Sequence, residues 1–355
     1  MKVSIRNFKS IKHIEWEARR INLIVGEPNV GKSNILEALS LFGLGFDASE
    51  KQLKKLIRYE DMVEWFYDLD TDRIIEIEYG SNYIAHLSEA DYNDFLHFSA
   101  TQRPFNPVHR TREYFDKELG NLYRENKGLL REYMNQTLKP VGPLRSESKI
   151  RSHRLTKKYV FSGSSFDYKT SSVLKFPHGE NLYSVLYRNK QLLQDVAAMF
   201  EPYGLMLVVD QVEKNLKIQR LQNGYALQLP YHLIADTLQR MIFYYAAIAS
   251  NSNTTLLFEE PENHSYPGYI MEFANRVVDD ENGNNFFITT HSPYFLNTIL
   301  AEADPKDVTL SVAYYEDDQT KLRTLTEPEI RDLLDYGKDL FISLDQYTRS
   351  PDAVQ

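Results

Sequence analysis

The chain has 355 residues, 42% hydrophobic and 26% charged, which is enough apolar material for one large domain or two modest ones and excludes disorder as its main state. Its 41 basic and 50 acidic residues leave a net charge of −9, so any grip on nucleic acid must come from a local patch. The lack of cysteine excludes disulfides, thiolate metal sites and thiol nucleophiles. With no apolar run near the ~18–20 residues of a membrane span and no signal-like N-terminal core, a cytoplasmic protein without membrane partners is expected.

In chain order, residues 1–6 alternate as a strand does, and the apolar run 21–25 reads as a buried one. That run leads into Gly26-Glu27-Pro28-Asn29-Val30-Gly31-Lys32-Ser33, which fits the phosphate-loop pattern G-x-x-x-x-G-K-[ST]. Ile35, Leu36, Leu39 and Phe42 then recur at helical spacing. These residue types suit the chemistry. Glycines let backbone amides curl around phosphate oxygens, and the following helix turns its positive end towards them. Lys32 would neutralise the β- and γ-phosphates of ATP and the Ser33 hydroxyl would hold Mg²⁺, with Pro28, Asn29, Val30 and Asn34 completing the cradle.

Residues 47–83 combine a basic, helix-like stretch (Lys51, Lys54, Lys55, Arg58) with an alternating strand at 74–79. Residues 88–136 are expected to be mainly helical, broken by the proline-marked loop 103–107, and 139–143 marks a second break where the chain returns to the core. The stretch 139–158 is strongly basic: Lys139, Arg145, Lys149, Arg151, Arg154, Lys157 and Lys158 stand against Glu147 alone, a net of +6. Arg145, Lys149, Arg151, Arg154, Lys157 and Lys158 are therefore candidates for contact with a DNA backbone without base reading. A solvated loop or an acidic partner fits them equally well. Residues 181–200 read as one helix.

A second apolar strand, 254–258, delivers Glu259 and Glu260 at its carboxyl end, where ligands bind in an open α/β sheet. Glu259 would sit beside Mg²⁺, and Glu260 would polarise the attacking water. Taken alone, the pair is explained better as a solvated acidic turn. A third strand-like run, 286–290, changes that balance by ending in His291, 31 positions after Glu260 and far enough for one crossover helix. Strand ends carrying Lys32, Glu259-Glu260 and His291 make one coherent site. Residues 308–325 read as a hairpin with a polar turn at 316–319, and 345–355 as a frayed tail.

Together these residues resemble the ATP-binding-cassette-type heads of the SMC, RecF and OLD (overcoming lysogenization defect) group. Ile5-Arg6-Asn7-Phe8-Lys9-Ser10-Ile11 is similar to that group's first strand, and Gly31-Lys32-Ser33-Asn34 to its Walker A ending. Glu259-Glu260-Pro261-Glu262-Asn263-His264 with Pro267 resembles the Walker B and D-loop of the OLD-like branch, and Thr290-His291-Ser292-Pro293 its switch histidine. The resemblance covers about 1–45 and 175–345. It implies an α/β fold: a single ABC/SMC-like P-loop ATPase head over 1–355, with core lobes at about 1–45 and 140–345 and a short, mostly helical insertion at about 46–138. Lys32 and Glu260 are 228 positions apart, yet no run of three or four heptads lies between them, so no long coiled coil is expected.

The resemblance further implies that Mg·ATP joins two heads into a homo-dimer or higher homo-oligomer, with Lys32, Glu260 and His291 catalysing hydrolysis. In the family a signature segment contacts the partner's nucleotide; its counterpart here is 235–240, where Asp236 and Arg240 remain but Ala235 and Thr237 replace serine and glycine. That departure bears on turnover, because the close backbone approach that glycine allows becomes harder. The expected function is that of standalone OLD-like ATPases of antiphage systems: sensing nucleic acid or phage components and controlling a nuclease or toxin. Because 64 residues follow His291, that effector is expected in trans. A RecF-like DNA-maintenance ATPase and a nucleotide-gated scaffold with little turnover are the alternatives.

Overall fold

The computed structural model describes residues 1–43, 50–80, 83–89, 96–102, 137–138, 155–163, 171–337 and 339–348. Its central sheet is built from β3 (Ile21–Val25), β8 (Thr156–Tyr159), β12 (Thr255–Glu259), β13 (Asn285–Thr289), β14 (Val308–Glu316) and β15 (Gln319–Thr324), in the order β15-β14-β3-β13-β12-β8. All neighbours are parallel except the β14–β15 hairpin. The runs Leu256-Leu257-Phe258 and Phe286-Phe287-Ile288 are apolar throughout because both faces of this sheet are covered. Leu256, Phe258, Phe286, Ile288, Leu23 and Val25 face one core, and Leu257, Phe287 and Ile24 face the other.

The first core is roofed by α3 (Leu182–Arg188), α4 (Lys190–Ala198), α5 (Asp236–Ser250), α6 (Pro267–Val278) and α7 (Pro293–Glu302). The second lies against α1 (Lys32–Ser40) and an antiparallel sheet of order β2-β1-β4-β5-β6-β7, formed by Lys2–Phe8 (β1), Ile11–Glu17 (β2), Ile75–Tyr79 (β4), Tyr83–Glu89 (β5), Leu96–Gln102 (β6) and Thr137–Leu138 (β7). Alternation is clear in β4, where Ile75, Ile77 and Tyr79 are buried while Glu76 and Glu78 between them are half-buried, Glu76 pairing with Arg6 of β1. A third, three-stranded sheet, β9 (Met206–Asp210), β10 (Asn215–Gln222) and β11 (Tyr225–Pro230), precedes α5. Helices α2 (Glu50–Leu56) and α8 (Glu327–Asp335) complete the described set.

Three sequence expectations change. Within the stretch expected to be mainly helical, the described residues at 88–89 and 96–102 are strands; the rest of 88–136 lies outside the described residues, as does the break at 139–143. The single helix 181–200 is two helices, because Asn189 takes an extended backbone and its side chain accepts the Leu192 N–H at 3.0 Å, capping α4. The start of the expected tail, from Asp345, lies in a short 3₁₀ turn (Leu344–Tyr347) with Tyr347 buried, and the Tyr347 carbonyl accepts from Arg323 at 2.9 Å. The expected hairpin is present, turning on Asp317 and Asp318, both with positive φ.

Candidate active site

Because β3, β13 and β12 are parallel neighbours, their carboxyl ends emerge side by side. β3 delivers the phosphate loop. At Gly26 a Cβ would lie 2.2 Å from the Ala313 carbonyl oxygen, and at Gly31, whose φ is +90°, it would lie 2.1 Å from Thr320 Oγ1. The loop is thus seated on the β14–β15 hairpin with no space for a side chain at either position. Thr320 Oγ1 donates to the Val30 carbonyl at 2.9 Å and lies 2.6 Å from Ser10 Oγ, which accepts from Asn34 Nδ2 at 2.7 Å. The buried Lys32 ammonium curls into the loop and donates to the carbonyls of Gly26 (3.0 Å) and Glu27 (2.6 Å). Burial lowers its pKa, against the pull of Glu260, Glu262 and Glu259.

β12 delivers the carboxylates. Glu259 Oε1 accepts from Arg58 Nη2 at 2.9 Å and Oε2 pairs with Lys158 Nζ at 2.9 Å. Burial opposes ionisation of Glu259, but Lys158, Ser33 and Arg58 together hold its pKa below the ordinary value. Glu260 stands on a left-handed backbone (φ +43°) with its Oε1 3.2 Å from His291 Nε2 and its Oε2 accepting from Asn263 Nδ2 at 3.0 Å. The His291 contact lowers its pKa to about 2; burial works against this, and Asn263 and Lys32 add to it. Glu260 is therefore ionised at neutral pH and suited to orienting water rather than to strong proton abstraction.

The structure places Gly26, Pro28, Asn29, Val30, Gly31, Lys32, Ser33 and Asn34 in one loop and helix start, and brings Glu259, Glu260 and His291 beside it. Asp236 and Arg240 lie one turn apart at the start of α5, bonded at 2.6 Å, with the Arg240 guanidinium 4.8 Å from the Phe161 ring centroid. Ala235 is the residue before this helix and makes no side-chain cap, where serine would supply one. Arg58, Lys158, Phe161, Arg240 and Tyr244 line a cleft of about 340 Å³ that reaches Glu259 and Glu260.

Sequence reasoning missed a charged network around Glu259. Glu37, fully buried one turn beyond Ser33, receives Lys9 (2.6 Å) and Arg58 (2.9 Å), so Arg58 bridges Glu37 and Glu259. Lys9 belongs to the quoted opening motif, which is the one local signal; Arg58 and Glu37 meet only in three dimensions. Lys158 leaves the nucleic-acid candidates: it is 3% exposed, and its ammonium is held by Glu259 and the Leu56 carbonyl (3.2 Å), out of reach of a DNA backbone. Lys157 donates to Asn251 Oδ1. Arg145, Lys149, Arg151 and Arg154 lie outside the described residues.

These residues fit a magnesium nucleotide. The phosphate loop runs straight into the N-terminus of α1, and Ser33 and Glu259 offer two hard oxygen ligands on adjacent chain segments, with Arg58 and Lys158 already on the Glu259 oxygens. A family model described as "AAA domain, putative AbiEii toxin, Type IV TA system" matches residues 21–297, from β3 to α7. The chain belongs to this family. It is 22% identical over 352 residues to an ATP/GTP phosphatase of Helicobacter pylori (strain ATCC 700392 / 26695), across 89% of this chain and 92% of that protein. Its structure is similar to an SmcHead bound to the C-winged helix domain of ScpA (TM-score 0.50, 12% identity, 92% of this chain and 98% of that chain). It also resembles an Smc head domain with an extended coiled coil, bound to the C-terminal domain of ScpA and derived from Pyrococcus furiosus (TM-score 0.50, 12% identity, 95% and 99%). The fold is that of an SMC-type head, and the AAA-family chain that adopts it is a P-loop ATPase. Among the described residues no helix is long and apolar enough to cross a membrane.

Proposed function

We propose that this head is an ATP-driven switch: two copies close on magnesium nucleotide, hydrolysis parts them, and the cycle controls a nuclease or toxin acting in trans in defence against invading nucleic acid. The observation that carries the hydrolytic part is the 3.2 Å approach of His291 to Glu260 beside the Lys32 loop. When bound, the metal would supply positive charge to the β- and γ-phosphates, held by Ser33 and Glu259. Lys32 would hold the phosphate side, Glu260 would stay ionised to orient water, and His291 would fix that carboxylate on the side of the γ-phosphate. Asp236 and Arg240 would act towards the second copy.

The family's description as an AbiEii-type toxin of a type IV toxin–antitoxin system supports a role in a two-component system. Likeness to Smc heads crystallised with ScpA domains is in keeping with a partner protein. The OLD-like affiliation rests on the sequence motifs, DNA as a partner on the basic run at 145–154, and a cytoplasmic location on composition. A second reading, a nucleotide-gated scaffold with slow turnover, is favoured by the uncapped Ala235 at the start of α5. The test is a pull-down of tagged Glu260→Gln from its native host with ATP and nuclease treatment, read by mass spectrometry. A stoichiometric nuclease or toxin supports the proposal; replication and repair proteins, or the head alone, overturn it.

A further inference from the structure

Glu262 has no part in the reading above, yet it stands where two functional loops meet. The β12–β13 ladder ends at the pair Glu259–Thr289, and the Glu260 N–H makes the last backbone tie, to the Thr289 carbonyl at 3.0 Å. Beyond that point the left-handed turn at Glu260 brings the chain back, and Glu262 Oε1 accepts both the Thr290 hydroxyl (2.8 Å) and the His291 N–H (2.5 Å). Thr290 Oγ1 in turn accepts the Ser292 N–H at 3.0 Å, and Ser292 caps α7. One side-chain oxygen therefore fixes the loop that carries His291.

We propose that Glu262 is a positioning residue for ATP hydrolysis: by accepting these two hydrogen bonds through a single oxygen, it holds the His291 imidazole opposite Glu260. The proposal rests on the reading of Glu260 and His291 as the hydrolytic pair. Burial raises the Glu262 pKa, although the His291 N–H, its own N–H and the Thr290 hydroxyl favour the anion. Glutamine presents a carbonyl acceptor in the same place and so keeps the tie, whereas alanine cuts it.

The experiment compares steady-state kinetics of Glu262→Ala, Glu262→Gln, His291→Ala and the Glu262→Ala/His291→Ala double variant, with amide exchange followed around 290–292. Misplacing a reacting group by about 1 Å costs about a hundredfold, so Glu262→Ala is expected to lower kcat by about ten- to a hundredfold at unchanged KM for ATP. Glu262→Gln should stay within about threefold of wild type, and the double variant should be no slower than His291→Ala alone, since the two act as a unit. Exchange at His291 should quicken in the alanine variant, not in the glutamine variant, with the 32–40 helix unchanged. Where the alanine variant does not fold, Glu262→Asp, a methylene too short to reach, should show the same loss. Wild-type kcat in Glu262→Ala, additive losses in the double variant, or exchange rising throughout the chain would overturn the proposal. If His291→Ala and Glu260→Gln themselves hydrolyse normally, it is the hydrolytic-pair reading that falls.

Discussion

Lys158→Met tests the charged setting of Glu259, since methionine nearly fills the lysine's volume but carries no charge. Two contacts go: the 2.9 Å pair with Glu259 Oε2 and the 3.2 Å bond to the Leu56 carbonyl. Breaking a buried pair costs about 3–5 kcal/mol, and an unpaired carbonyl about 1–3. Arg58 still holds the other Glu259 oxygen at 2.9 Å, and the buried ammonium no longer needs desolvating, so a net loss of about 2 kcal/mol is expected. At about 2.1 cal/mol/K per residue, 355 residues unfold with about 0.75 kcal/mol/K, so Tm should fall by about 3 °C. With magnesium and ATP added, Glu259 regains a cation, and the deficit should shrink to about 1 °C. Calorimetry with and without the nucleotide checks both numbers. An unchanged Tm, or a deficit of equal size in both conditions, would show that Lys158 does not neutralise Glu259.

The remaining predictions concern the phosphate loop and the water-orienting carboxylate. Lys32→Ala should abolish ATP binding by titration calorimetry, and normal affinity would remove the phosphate-loop assignment. Gly31→Ala places a methyl where Thr320 Oγ1 lies 2.1 Å away, so ATP affinity should drop about tenfold as the loop shifts; undiminished affinity would show that the loop yields freely. Glu260→Gln should bind ATP normally while kcat falls about 10²- to 10⁴-fold, which single-turnover kinetics can measure. Glu260 has a folded pKa of about 2 against an ordinary 4.5, so its contribution to stability is present above 4.5 and lost as pH falls through 2. Denaturation midpoints of Glu260→Gln should therefore fall less than those of wild type between about pH 5 and 2, and parallel curves would contradict this.

How much of this was legible in the sequence depended on whether the signal was local. The phosphate loop, Glu259-Glu260 and His291 each follow an apolar run directly, and parallel pairing then has to place those run ends together. Arg58, Lys158 and Glu37 converge on Glu259 from positions 58, 158 and 37, and no periodicity announces such a meeting. Lys158 was misjudged because a basic run looks alike whether its members face water or, as on β8, alternate between neighbours. The break at Asn189 was missed because apolar spacing continues across it, although an asparagine followed by a helical run is itself a start signal.

On the proposed cycle, bound nucleotide holds two heads together until Glu260 acts. Mass photometry of Glu260→Gln, with and without magnesium and ATP, tests it most directly. Single heads are expected without nucleotide and a stable dimer or higher assembly with it, lost again in the Lys32→Ala/Glu260→Gln double variant. The same mass distribution in every condition would contradict it.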